Sequence, residues 1–319
     1  MSQPNPHFWH DRQVAVTGAA GFLGRVVVRD LEALGAAVRE VRSQEHDLRD
    51  PEASRAAVAG ADVVLHLAAR VGGIGFNREN PAPLAANNLL IGTNVFEQSR
   101  LAGVRKLVCA GTVCSYPKHT PVPFREDDLW LGYPEESNAP YGLAKKMLLV
   151  LSDAYRRQYG FDSCVPIIAN LYGPEDNYDL EESHVIAAMI RKFVEAAERG
   201  EDEVVLWGTG SASREFLYVD DAARALLLAA ERLDTSLPVN VGTGRETPIR
   251  DLAETIRGLA GFRGEIAWDS SKPDGQPVRC LDVSRARELI GFEAEVPLER
   301  GLARTIESYR AHPVAPVRG

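Results

Sequence analysis

Short, almost uninterrupted apolar runs alternate with amphipathic stretches through the first half of the chain. QVAVT at 13–17, DVVLHLA at 62–68 and VRKLVCA at 104–110 read as strands buried on both faces, with a further strand at 37–42. Between them the pattern predicts a helix over 24–34 closed by Gly35, and one capped by Asp50 with Pro51 at its first position, stopping at Gly60. A helix starts near Leu84, a long one covers 141–159, and a strand follows over 163–170. Strand and helix in strict alternation give a parallel sheet with helices on both sides. After Leu171 the texture changes. A polar loop at 170–184 leads into a helix ending at Arg199, then a strand at 204–207, a helix at 220–233, and a helix capped by Thr247 with Pro248 at its start.

Composition narrows the field. The 319 residues are 45% hydrophobic and 25% charged, with a formal net charge of −9, which disfavours nucleic acid and anionic membrane surfaces as partners. No apolar run reaches the roughly 20 residues that span a bilayer. Residues 1–12 lack the apolar core of a signal peptide. Cys109, Cys114, Cys164 and Cys280 are scattered without metal-ligand spacing, so they read as reduced thiols of a cytoplasmic protein with no metal.

TGAAGFLG, from Thr17, places Gly18, Gly21 and Gly24 between a strand and a helix. A pyrophosphate must approach backbone N–H groups at such a helix start, where a Cβ would intrude. Phe22 and Leu23 in this turn, and Ala68 at the end of the third strand, are the neighbouring candidates for cofactor contact. The second strand ends REVRS. Arg39 and Arg42 suit the 2′-phosphate of NADP(H), whereas Glu40 leaves NAD as the alternative. The expected fold class is α/β, a Rossmann-type doubly wound parallel sheet with a smaller α/β C-terminal substrate-binding lobe. The cofactor domain is assigned 12–170 plus about 216–243, the lobe about 171–215 plus 244–311, and the tails 1–11 and 312–319.

Tyr141 and Lys145 form Y-x-x-x-K, one helical turn apart on one face. An adjacent ammonium would favour the ionised phenol, letting it exchange a proton with a carbonyl oxygen. Thr112, after the strand VRKLVCA, supplies the hydroxyl that orients that oxygen.

Several longer stretches resemble one family, the GDP-L-fucose synthases. They are AARVGGIGFN (68–77), GTVCSYPK (111–118), NAPYGLAKK (138–146) and NLYGPEDNYDLEESHVIAAMIRKF (170–193). WGTGSASREFLYVDD (207–221), VNVGTG (239–244) and SKPDGQPVRCLDVSR (271–285) complete the set, which runs over residues 12–310. The resemblance implies NADPH-dependent 3,5-epimerisation and 4-reduction of GDP-4-keto-6-deoxy-D-mannose by a homodimer. It implies that Cys114 is the epimerising base and His184 its acid partner, beside Thr112, Tyr141 and Lys145. It places Asp47 and Leu48 beside the adenine and His184 also at the cofactor. Arg214 and Arg279 become phosphate and ribose clamps, Lys192 and Trp207 phosphate and base contacts, and Asn170 a sugar contact. The sequence departs from the family at Thr112-Val113 (commonly Ser-Ser), Arg70 (commonly Lys) and Val278 (commonly basic). These departures leave open another GDP-4-keto sugar, such as a 6-deoxy-heptose, or an epimerase without net redox.

Overall fold

The computed structural model describes residues 2–180, 183–272 and 274–313. A short helix α1 (Pro6–Trp9) precedes the alternation β1 (Gln13–Thr17), α2 (Phe22–Ala33), β2 (Ala37–Val41), α3 (Pro51–Val58) and β3 (Val63–His66). Next come α4 (Ile74–Glu79), α5 (Pro81–Leu101), β4 (Lys106–Cys109), β5 (Gly111–Thr112) and α6 (Ala139–Tyr159). Three short strands follow: β6 (Ser163–Cys164), β7 (Pro166–Ile168) and β8 (Asn170–Tyr172).

The parallel strands lie in the order β2-β1-β3-β4-β6, and a second parallel set has the order β12-β7-β5, with β12 at Val239–Val241. The chain leaves β1 for β2 on one side and returns to β3 on the other. The switch in direction therefore falls between the carboxyl ends of β1 and β3, where open α/β sheets bind their ligands. Asp50 caps α3 as expected, its side chain accepting from Glu52 N.

The single strand expected over 163–170 is instead three pieces. β6 pairs with β4, β7 with β5 and β12, and β8 with β11 (Phe216–Tyr218). Pro166 has no N–H to give a ladder, so the strand breaks beside it.

The remaining elements are α7 (Val185–Arg199), β9 (Glu203–Trp207), β10 (Ser213–Arg214), α8 (Val219–Arg232), β13 (Thr247–Pro248) and α9 (Ile249–Ala260). β14 (Glu265–Asp269), β15 (Val278–Arg279), α10 (Ser284–Ile290) and α11 (Leu298–Ala311) complete the chain. Thr247 does not cap a helix. It pairs with Arg214 across the β10–β13 ladder, and Pro248 takes the N-cap position of α9. Two hydrophobic clusters result. One packs the central sheet against α2, α5, α6 and α8. The other gathers Ile190, Phe193, Leu206, Leu252, Ile256 and Leu302 from α7, β9, α9 and α11. Of the tail set apart at 312–319, residues 314–319 lie outside the described residues. Among the described residues no helix is long and apolar enough to cross a membrane.

Candidate active site

The glycine loop closes the end of β1 onto α2. Gly18 has φ +71°, and a Cβ on it would lie 2.9 Å from Ala68 N. A Cβ on Gly24 would lie 2.0 Å from Gly18 O, so loop, helix start and β3 end touch through backbone alone. The helix begins at Phe22 with Gly21 as its cap, two residues before the predicted start, because Gly24 serves this close approach within the first turn. That turn opens on a cavity of about 690 Å³ lined by Gly18, Gly21, Phe22, Leu23, Gly24 and Ala68. Free N–H groups at a helix start and a cradle that a Cβ would fill are what a dinucleotide pyrophosphate requires, so these residues fit NADP(H).

Beside the end of β2, Arg42, Asp47 and Leu48 line the cavity together with Ser43, His46 and Arg49. Arg42 pairs with Glu40 at 2.8 Å. Asp47 pairs with Arg49 at 2.6 Å, and hydrogen bonds from Arg49 lower its pKa to about 2. Arg39 is not part of this wall. Its Nη1 donates to Ala59 O at 2.6 Å, satisfying a carbonyl at the C-terminal end of α3. Arg49 went unread because the polar run after β2 has no spacing that separates wall from loop.

At the other end, β5 delivers Thr112 and turns at once into a short 3-10 segment carrying Cys114. Thr112 Oγ1 accepts from Cys114 N at 3.2 Å and its hydroxyl hydrogen-bonds with Tyr141. Gly142 lets α6 lie on this turn, since a Cβ there would fall 2.2 Å from Cys114 O, and Ser115 Oγ donates to Gly142 O at 3.0 Å. Burial raises the Tyr141 pKa first and the nearby Cys114 charge adds to it, against the hydrogen bond from Thr112. Lys145 is 4% exposed, and desolvation lowers its pKa to about 8. Its charge acts on Cys109 and His66. Thr17, His66 and Cys109 stand in register as the last residues of β1, β3 and β4, forming a row at the carboxyl ends of three neighbouring strands.

Arg279 completes the thiol's surroundings. Its Nη1 lies 3.6 Å from Cys114 Sγ, and its Nε donates to Gln276 Oε1 at 2.8 Å. The β10–β15 ladder sets Arg214 in register beside Arg279. Arg214 donates to Ser213 O at 2.8 Å and Asp274 O at 3.0 Å, and burial followed by Arg279's like charge lowers its pKa to about 10. Two close guanidiniums whose partners are carbonyls, an amide oxygen and a sulfur make a receptor for an anion such as a diphosphate.

His184 stands at the N-cap position of α7 on the cavity wall, where desolvation lowers its pKa. Asn170 lines the same cavity and donates to Glu215 O at 2.9 Å. Thr112, Cys114, Tyr141, Lys145, Asn170 and His184 thus share one cavity. Lys192 and Trp207 lie apart from it, beside β9. Lys192 Nζ donates to Val205 O at 2.8 Å, and Trp207 is 56% exposed with Lys272 5.3 Å above its ring. Asn77 and Asn138 also line the cavity and were not singled out from sequence, since an Asn in a loop usually marks a turn or cap.

Comparison with known proteins shows the family. The sequence model of the "NAD dependent epimerase/dehydratase family" matches residues 14–242. The probable GDP-L-fucose synthase 1 of Oryza sativa subsp. japonica is 43% identical over 315 residues, 97% of this chain and 95% of that protein. GDP-L-fucose synthase of Escherichia coli (strain K12) is 38% identical over 308 residues, 93% of this chain and 96% of that one. A crystal structure of a GDP-L-fucose synthetase from Naegleria fowleri bound to NADP superposes with a TM-score of 0.86 at 28% identity, covering 98% of this chain and 96% of its own. The chain belongs to the NAD dependent epimerase/dehydratase family and, within it, to the GDP-L-fucose synthases.

Proposed function

We propose that this enzyme, an NADP-dependent oxidoreductase and epimerase, converts GDP-4-keto-6-deoxy-D-mannose to GDP-L-fucose by inverting carbons 3 and 5 and reducing carbon 4. The observation that carries this reading is the Cys114 thiol 3.6 Å from Arg279, in the same cavity as Tyr141 and His184. The carbon-4 ketone acidifies the hydrogens on both neighbouring carbons. Cys114 removes a proton from one ring face, Arg279 supports the negative sulfur, and His184 returns a proton on the opposite face. Tyr141, kept as a neutral phenol by burial, then protonates the carbon-4 oxygen while Thr112 hydrogen-bonds that oxygen. Bound NADPH supplies the hydride that reduces carbon 4.

The cofactor is held by Gly18, Gly21, Phe22, Leu23, Gly24 and Ala68 at the pyrophosphate, and by Arg42, Asp47 and Leu48 at the adenosine end. Tyr141, Lys145 and His184 meet it beside the reaction centre. Arg214 and Arg279 clamp the substrate diphosphate, Asn170 holds the sugar, and Lys192 on α7 and Trp207 at the end of β9 reach the nucleotide. On this reading residues 12–170 plus about 216–243 form the cofactor domain, and about 171–215 plus 244–311 the substrate lobe; the two hydrophobic clusters follow this division except that Leu281, Ala286, Ile290 and Phe292 pack with the first and Phe216 and Tyr218 with the second. The enzyme acts as a cytoplasmic homodimer. Its four cysteines are free, and α5 and α6 expose Leu89, Leu90, Met147 and Val150 on one apolar face.

The test mixes purified protein, NADPH and GDP-4-keto-6-deoxy-D-mannose, follows absorbance at 340 nm and identifies the sugar by NMR. GDP-L-fucose as product is expected. A 4-hydroxy sugar with carbons 3 and 5 unchanged would remove the acid and base roles of Cys114 and His184.

A further inference from the structure

One side chain in the cavity has incomplete hydrogen bonding. Asn77, on α4, is 3% exposed and lines the cavity. Its Nδ2 donates to Asn138 Oδ1 at 3.2 Å, and Asn138 Nδ2 donates to Glu135 Oε2 at 2.8 Å. The chemistry of this chain fixes both amides. An ionised Glu135 can only accept, so Asn138 must turn its NH2 toward the carboxylate and its oxygen toward Asn77. Asn77 must then offer its own NH2 to Asn138, which leaves Oδ1 as the free end. Glu135 is itself held by Ser137, through Oγ at 2.5 Å and N at 3.2 Å. Asn77 Oδ1 has no partner among the described residues and almost no accessible surface, so a donor in the cavity meets it only when the amide turns toward the cavity. A buried acceptor without a donor is costly, and it fits a ligand that brings the missing hydrogen.

Position narrows which ligand. Asn138, the N-cap residue of α6, stands three residues before Tyr141, so the amide chain belongs to the phenol's end of the cavity and not to the adenosine end at Arg42 and Arg49. The sugar ring carries two free hydroxyls, at carbons 2 and 3. The carbon-3 hydroxyl changes face when that carbon inverts. The carbon-2 hydroxyl keeps its configuration through both inversions and the reduction, so a fixed acceptor can hold it throughout. We infer that Asn77 Oδ1 accepts a hydrogen bond from the carbon-2 hydroxyl and anchors the ring while protons are exchanged on its two faces. This rests on the reaction proposed above and adds a substrate contact to it.

The experiment compares wild type, Asn77→Leu and Asn77→Asp on GDP-4-keto-6-deoxy-D-mannose and on its analogue lacking the carbon-2 hydroxyl. NADPH affinity is measured in parallel by fluorescence titration. Wild type should favour the full substrate by roughly tenfold in kcat/KM, the worth of one neutral hydrogen bond. Asn77→Leu should lose about that factor on the full substrate and treat both sugars alike. Asn77→Asp, which keeps an acceptor oxygen but gives up the donor to Asn138, should keep the preference at a lower overall rate, and NADPH affinity should match wild type in every case. Equal handling of both sugars by wild type overturns the inference without needing any variant to fold. So does a loss in Asn77→Leu of equal size on both sugars, or a loss that appears in NADPH affinity. Wild type inactive even on the full substrate would instead overturn the underlying reaction.

Discussion

At the scale of single residues, the site separates its proton carriers by environment. Tyr141 is held above its ordinary pKa, which suits a group that must give a proton to a carbonyl oxygen. Tyr141→Phe should lower NADPH oxidation by about 10²–10⁴-fold, while deuterium from solvent still enters carbons 3 and 5 by NMR. Arg279→Gln should do the reverse, slowing deuterium entry roughly a hundredfold with NADPH affinity unchanged by titration. Lys145 titrates at about 8 instead of 10.5 because burial disfavours its charge. Between these two values the unfolded chain holds a proton that the folded chain has released, so this group's contribution to stability rises with pH there. The active-site ammonium is lost over the same window. In pH-rate profiles, kcat/KM should therefore fall about tenfold per unit above roughly pH 8. Whatever activity Lys145→Arg retains should lack that limb, since a guanidinium keeps its charge.

At the scale of elements, the reaction centre depends on how closely α6 rests on the turn after β5. Gly142 permits that contact with Cys114 O, and no side chain lies between to yield. Gly142→Ala should push helix and turn apart, lowering both oxidation rate and Tm by calorimetry, with a loss on the order of 1–3 kcal/mol for overpacking. The element pattern was largely legible in the apolar runs, because strands buried on both faces admit few polar residues. Misreadings arose where partners decide. The run at 163–170 is broken by Pro166 and shared between three ladders, and Thr247 was taken into a strand pair with Arg214 before it could cap α9.

At the scale of the whole molecule, α5 and α6 pack on each other and still leave an apolar groove lined by Ala85, Leu89, Tyr133, Leu143 and Met147. For the homodimer proposed above to use this face, Met147→Glu, which places a charge in it, should halve the mass that light scattering reports for the eluting protein. What the sequence determined by itself was whatever local chemistry dictates. Glycines at a strand-to-helix turn leave no room for side chains, Y-x-x-x-K shares a helix face, and the longer motifs resemble one family nearly end to end. Tertiary structure decided the rest, because contacts between distant segments have no signature in spacing. It set Arg279 against Cys114 through the β10–β15 ladder, turned Arg39 away to α3, and brought Thr17, His66 and Cys109 into one row. It also joined Asn77, Asn138 and Glu135, 61 and 3 positions apart in turn, into one hydrogen-bonded chain. A side chain's role in such a site follows from the partner it meets, and only the folded chain chooses that partner.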